Sequence, residues 1–243
     1  MSQSTIDNLQ SAIQSVRDFY AFEQHVKTCR AHRGLDMVPQ WYQVPVFYFS
    51  NPVAIIGDGD PVHAPHGSKA LDYELELACV IGKPARDLPA DDSAMACVAG
   101  FTIMNDWSAR DLQRAEMACG LGPSKSKDFA TSLGPRLVPF AELRDKYRDG
   151  RLHLEMTASV NGKIYSHGNS GSMYWTWPQL LAHASRDTEL RPGDVLGSGT
   201  VGTGCILELT PEAVGGWLKP GDVVELTIER IGTLRNTVVE RPR

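Results

Sequence analysis

The stretch Tyr73-Glu-Leu-Glu-Leu-Ala-Cys-Val-Ile81, stopped by Gly82, limits most strongly what this chain can fold into. Side chains on a strand point to opposite faces in turn, so Tyr73, Leu75 and Leu77 share one face while Glu74 and Glu76 share the other. Similar signals recur along the chain. Val53 to Ile56 is a short apolar run ended by the turn cluster Gly57-Asp-Gly-Asp60, and Gly100-Phe-Thr-Ile-Met104 reads as an apolar strand. Leu152 to Tyr165 reads as a hairpin turned at Asn161-Gly162, a pair suited to a tight turn with left-handed backbone. Two like turns, Arg191-Pro-Gly-Asp194 and Lys219-Pro-Gly-Asp222, each lead into Val-rich segments, but two turns do not make a repeat.

Helical signals flank these strands. Ser4-Thr5-Ile6-Asp7 resembles a capping box, and Ile6, Leu9, Ile13 and Val16 then recur at helical spacing, which predicts a helix that continues through His25 towards Gly34. Asp91-Asp92-Ser93 can cap a short helix reaching Val98, and further helices are expected over Ala109–Ala118 and Thr176–Ser185. Leu35 to Pro52 is rich in aromatics and proline and reads as an irregular, mobile loop. No linker or low-complexity segment divides the 243 residues, so the expectation is a single β-rich α+β domain over 1–243, with 1–17 as an N-terminal helical extension.

Composition excludes several classes. A net charge of −5 with no run of Lys and Arg speaks against a nucleic-acid partner. No apolar run approaches the ~20 residues that span a bilayer, and the polar start Met1-Ser-Gln-Ser-Thr5 lacks a signal core, so the reading is a cytoplasmic protein without a membrane partner. The five cysteines are widely spaced with no CxxC, which suits buried free thiols better than a disulfide framework or a zinc site.

Three groups of residues bear chemistry. Glu74 and Glu76 would repel one another unless a cation or solvent lies between them, and the simpler reading is a solvated acidic face on an amphipathic strand. Asp106, in Met104-Asn-Asp-Trp-Ser-Ala-Arg-Asp111, ends an apolar strand before a helix and is equally a carboxylate placed for function or a helix cap. Asp18 and His25, seven residues apart, would share a face of the expected first helix. Two patterns are decoys. Gly197-Ser-Gly-Thr-Val-Gly202 matches a dinucleotide fingerprint, but the following Cys205-Ile-Leu-Glu-Leu-Thr210 reads as a strand rather than the required helix. His63 and His66 lack a third ligand nearby.

Taken in order, several segments resemble the fumarylacetoacetate hydrolase family. Asp18-Phe-Tyr20 with Gln24-His25, Tyr73-Glu-Leu-Glu76, Met104-Asn-Asp-Trp-Ser-Ala-Arg-Asp-Leu-Gln113, Lys127-Asp-Phe-Ala-Thr131, Met173-Tyr-Trp-Thr176, Leu190-Arg-Pro-Gly-Asp194, Gly197-Ser-Gly-Thr200 and Ile206-Leu-Glu208 follow one another as in that family. The resemblance implies the mixed β-sandwich or roll of the family's C-terminal domain, with flanking helices, and a homodimer. It implies a metal site of Asp18, Glu74, Glu76 and Asp106, whose all-oxygen donors suit Mg²⁺, Ca²⁺ or Mn²⁺ and need no organic cofactor. It makes His25 a general base oriented by Glu208, with Lys127, Gln113 and Arg110 as oxyanion stabilisers and Tyr20, Tyr48 and Thr200 as substrate-binding groups. The implied reaction is hydrolysis of a C–C bond in a small β-diketo acid. Oxaloacetate decarboxylation and 2-oxo-alkenoate hydration or isomerisation are alternatives on the same site. The chain departs from the family's name-giving enzyme at Glu23, where that enzyme has an arginine, and at Met117, where it has a tyrosine. Arg30 or Arg33 is a stand-in for its substrate-binding arginine.

Overall fold

Two large sheets organise residues 13–241, the part of the chain that the computed structural model describes. Their strands are β1 (Val16–Phe19), β2 (Phe47–Ser50), β3 (Ile55–Ile56), β4 (Pro61–His63), β5 (Leu75–Ile81), β6 (Val98–Asn105), β7 (Thr131–Pro139), β8 (Glu155–Val160), β9 (Lys163–Asn169), β10 (Val195–Gly197), β11 (Val223–Ile228) and β12 (Gly232–Val239). Seven form a mixed sheet in the order β2-β1-β10-β5-β6-β7-β3, and five form a second in the order β9-β8-β11-β12-β4. The second sheet packs on β5, β6 and β7 of the first. The result is the expected sheet-rich α+β sandwich. Helices α1 (Glu23–Ala31), α2 (Arg110–Ala118) and α3 (Trp177–Ser185) flank it.

Alternation in the first sheet explains where the core lies. Leu75, Leu77, Cys79 and Ile81 of β5 join Phe101 and Ile103 of β6 in the large core, which also holds Met156, Leu226 and Leu234 of the second sheet. On the opposite face, Ala78 and Val80 meet Val16, Met104, Leu133 and Val195 in a smaller apolar cluster. Both faces of β5 are therefore buried, and the solvated acidic face expected for Glu74 and Glu76 does not exist: they are 5% and 0% exposed.

Local expectations hold where the signal is local. Thr176 caps α3 in a reciprocal capping box with Gln179, and Pro178 occupies the first turn, where its missing N–H costs nothing. Asn161-Gly162 turns the β8–β9 hairpin. Asp91 caps the turn over Asp92–Cys97, which is 3₁₀ rather than α.

Other expectations fail where tertiary partners decide. The helix expected from Val16 to Gly34 divides: Val16–Phe19 is a strand, paired with β10 on one side and β2 on the other, and the helix begins at Glu23. The capping box at Ser4–Asp7 lies outside the described residues. Leu35 to Pro52 contains a 3₁₀ turn at Pro39–Tyr42 and strand β2. In the strand expected over Val53–Ile56, only Ile55–Ile56 pairs. Cys205–Thr210, read as a strand, contains a helical turn at Ile206–Leu209, because Asp72 accepts the N–H groups of Ile206 and Leu207 at 2.8 and 3.0 Å. That removes the reason given for rejecting a dinucleotide site, yet the rejection stands. The helix is one turn long, and β11 after it joins the other sheet, so Gly197–Gly202 does not open a parallel βαβ unit. Four of the free cysteines are buried and Cys119 is exposed. No described helix is long and apolar enough to cross a membrane.

Candidate active site

The acidic residues continue the smaller apolar face of the first sheet. Val16 and Asp18 are two apart on β1, Val195 and Gly197 on β10, and Ala78 and Glu76 on β5. Met104 and Asp106 repeat the spacing at the end of β6. On each strand the i, i+2 rule sets the polar position on the same face as its apolar neighbour. Asp18, Glu76 and Asp106 thereby converge, with one carboxylate oxygen from each within 4.8 Å of the others. Gly197 pairs with Asp18, and its bare Cα leaves the room this convergence needs. A Cβ there would stand 2.5 Å from Asp18 Oδ1 and 3.0 Å from Glu76 Oε2.

Three buried carboxylates cannot all carry charge without a counter-ion. Burial and then the Asp106 charge push Asp18 up to about 8, and burial with Asp18 beside it raises Glu76 well above the ordinary range. Asp106 is raised too, chiefly by burial. Asp18 Oδ1 and Asp106 Oδ1 are buried with no hydrogen-bond partner. Orphaned anionic oxygens around one point fit a hard divalent cation.

Glu74 behaves differently. Its Oε1 accepts from Arg110 at 2.7 Å and its Oε2 from Lys127 at 2.5 Å. Despite burial, these two cations hold it well below the usual carboxylate range. Lys127 also bonds Asp106, and against the desolvation of burial both carboxylates hold its ammonium charged.

The histidine comes from another layer. α1 buries His25, Val26 and Cys29 on one face. Gly199 lets the chain before α1 approach: a Cβ at this left-handed position would strike the Phe19 carbonyl. His25 Nδ1 lies 2.7 Å from Glu208 Oε2, presented by the turn that Asp72 caps. Burial opposes an imidazolium, but the Glu208 carboxylate outweighs it and raises His25 well above 6.5. Thr203 N–H donates to the other Glu208 oxygen.

The model of the fumarylacetoacetate hydrolase C-terminal region matches residues 14–239. The chain belongs to the fumarylacetoacetate hydrolase family. Fumarylacetoacetase of Arabidopsis thaliana is 32% identical over 79% of this chain and 57% of its own length. An oxaloacetate tautomerase of Bacillus subtilis is 35% identical over 80% of the chain and 61% of its own length. The chain thus spans under two thirds of these two relatives. The structure of fumarylpyruvate hydrolase from Pseudomonas aeruginosa, with Mn²⁺ and pyruvate, superposes with a TM-score of 0.75 at 24% identity, covering 94% of this chain and 91% of that one. At that identity it attests the shared family fold alone.

Within this family fold, Asp18 is on β1 and His25 on α1, so the two share no helical face: Asp18 joins Glu76 and Asp106, and His25 joins Glu208. The Tyr48 hydroxyl lies 2.9 Å from Asp18 Oδ2 and against Asp106, with its one O–H shared between them, and Thr200 approaches Glu76 at 3.4 Å. Both therefore touch the carboxylates. The Tyr20 ring meets His25 edge-on with centroids 5.4 Å apart. Arg110 is committed to Asp72, Glu74 and the Gln113 carbonyl, which leaves the Gln113 amide N–H groups to donate elsewhere. Arg30 donates to the Asp36 carbonyl, while Arg33 donates to the Cys29 carbonyl and reaches the Met117 sulfur. An open cleft of about 230 Å³, edged by Phe49, Asn51, Lys125 and Asp128, reaches Lys127.

Two supporting residues escaped sequence reasoning. Asp72 joins Arg110 to the turn bearing Glu208. Glu116 of α2 accepts from Ser124 and Ser126 and so anchors the loop carrying Lys127. Neither carries a local signal, since their partners are remote or ordinary serines.

Proposed function

We propose that this protein is a divalent-metal-dependent hydrolase that cleaves a C–C bond in a small β-diketo acid of the fumarylacetoacetate or acylpyruvate kind. The observation that carries this reading is the buried His25–Glu208 pair, and the His25 charge acts on Glu74, two residues from Glu76 of the carboxylate cluster. Asp18, Glu76 and Asp106 would hold the cation, with Glu74 beside them. When bound, Mg²⁺, Ca²⁺ or Mn²⁺ supplies Lewis acidity to the two oxygens of a 1,3-dicarbonyl or 2-oxo acid.

The remaining steps belong to the chain. Glu208 accepts from Nδ1–H, which fixes the tautomer and leaves Nε2 of neutral His25 to take a proton from water. The hydroxide adds to the carbonyl carbon, and the Gln113 amide with the Lys127 ammonium donates to the developing oxyanion. The bond between the attacked carbonyl carbon and the methylene carbon breaks, its electron pair goes to that methylene carbon as the enolate of the remaining ketone, and the carbon takes up the proton that His25 accepted from water. Tyr20, Tyr48 and Thr200 are assigned to orienting the substrate around this centre.

The Bacillus tautomerase, at 35% identity, favours a second reading in which the same base moves a proton in oxaloacetate without water attack. A panel of acylpyruvates, other diketo acids, oxaloacetate and 2-oxo-alkenoates, assayed with each metal, separates the two. Hydrolysis predicts turnover of the diketo acids that falls ~10²–10⁴-fold in His25→Ala. Undiminished hydrolysis in that variant, or tautomerisation without any cleavage, overturns it.

A further inference from the structure

A second group of metal-ligating side chains differs in chemistry from the carboxylates. His25, Cys29 and Cys205 are all buried and offer one ligand atom each within 4.8 Å of one another. His25 and Cys29 are one turn apart on α1, and Cys29 Sγ lies 3.7 Å from Nε2 and 3.8 Å from Nδ1. Cys205 approaches from the start of the 206–209 turn, with its Sγ 3.6 Å from Glu208 Oε2. The cysteines are free thiols. The hydrolytic mechanism uses neither of these two.

Tetrahedral zinc, with bonds of ~2.0–2.3 Å, sets its donors roughly 3.3–3.8 Å apart. The separations of Cys29 from His25 and of Cys205 from Glu208 already meet that requirement. The 2.7 Å between His25 and Glu208 is shorter, as expected for a pair that shares a proton, and would open when an ion replaces that proton.

We propose that His25, Cys29, Cys205 and Glu208 form a site for a thiophilic divalent cation, Zn²⁺ or Cd²⁺, separate from the carboxylate site. Binding releases both thiol protons and moves the Nδ1 proton of neutral His25 to Nε2, with no change of oxidation state. Two thiolates and one carboxylate around a dication leave one negative charge, and Arg110 lies near enough for its charge to act on both cysteines. Mg²⁺ and Ca²⁺ prefer oxygen and do not compete here. Filling the site removes His25 from water activation, so Zn²⁺ inhibits. The inhibition rests on the reading of His25 as the base, whereas the site itself does not.

The test begins with Mg²⁺-saturated enzyme titrated with Cd²⁺, following thiolate-to-cadmium absorption in the ultraviolet. The band is expected to saturate at one ion per chain in the wild type and in Glu76→Gln, and to vanish in C29S/C205S. If the double variant does not fold, C29S alone is expected to weaken the band and the affinity. In turnover assays Zn²⁺ inhibits, excess Mg²⁺ gives no relief, and the inhibition constant rises ~100-fold in C29S/C205S relative to that variant's own uninhibited rate. No band in the wild type, a band that survives in the double variant, or inhibition relieved by Mg²⁺ overturns the proposal. If no diketo acid is cleaved, the functional reading falls while the absorption measurement still decides the site.

Discussion

Glu74 and Glu76 stand two residues apart, both buried, in opposite electrostatic settings. Around Glu74 the protein supplies its own compensation, with Arg110 and Lys127 on its two oxygens. Around Glu76 it places two more carboxylates, Asp18 and Asp106, and leaves an oxygen of each without a partner. A buried anion needs a cation, and the two settings meet that need in different ways. One uses side chains and is complete on folding. The other, on the proposed reading, is compensated by an ion from solvent, which can then also meet a substrate. Glu74 is tied to Lys127 and to Arg110 of α2, and the proposed function assigns Glu76 to the reacting centre.

The largest effect that could break this contrast is Glu76→Gln. Removing one ligand should take away several kcal/mol of Lewis-acid stabilisation, a loss of ~10³-fold in kcat/KM, together with weaker metal binding by calorimetry. Unchanged metal affinity would show that the ion is held elsewhere. Lys127→Met attacks the other side. It strands Glu74 and Asp106 against one fewer cation and should lower stability by ~3–5 kcal/mol in denaturant unfolding, with or without metal. A loss cured completely by added metal would place Glu74 in the ion-dependent group instead.

Glu208→Gln tests the histidine. In the proposed mechanism neutral His25 is the active form, and Glu208 raises its pKa above 6.5, so the wild-type rate should fall as pH drops through that raised value. In the variant the acidic limb of kcat/KM should move to lower pH while the plateau drops ~10²-fold. A limb that stays in place would remove Glu208 as the cause.

The smallest effect is on stability against pH. Asp18, Glu76 and Asp106 have folded pKa values above their unfolded ones in the absence of an ion. Their contribution to stability is therefore present below about pH 4 and is lost as pH rises, for Asp18 through about 8. Metal-free protein should lose melting temperature between pH 5 and 9, and metal-loaded protein should lose less. Parallel curves would remove the charge burden assigned to these carboxylates.

How much of this was legible beforehand divides along the same line. The Asn161-Gly162 hairpin and the α3 capping box rest on interactions within a few residues, and the sequence carried them; the strand expected over Tyr73–Ile81 forms from Leu75 to Ile81. The site residues were nameable through ordered family motifs, yet the first helix was misread as continuous through Asp18. Apolar spacing at Ile13 and Val16 cannot reveal that β2 and β10 offer backbone partners on both sides. The turn that carries Glu208 has no local signal for the same reason, since its cap is Asp72.

By itself, then, the amino-acid order determined the period of each strand, the local caps and turns, and an inventory of carboxylates, a histidine and a lysine. Only the tertiary structure decided which carboxylates would share a point and which would be matched by Lys127 and Arg110. It also decided that Glu208 and Cys205 would lie against His25. Charge and ligand geometry act over a few ångströms of space, whatever the distance along the chain, so their effects appear only when sheets and loops bring remote residues together.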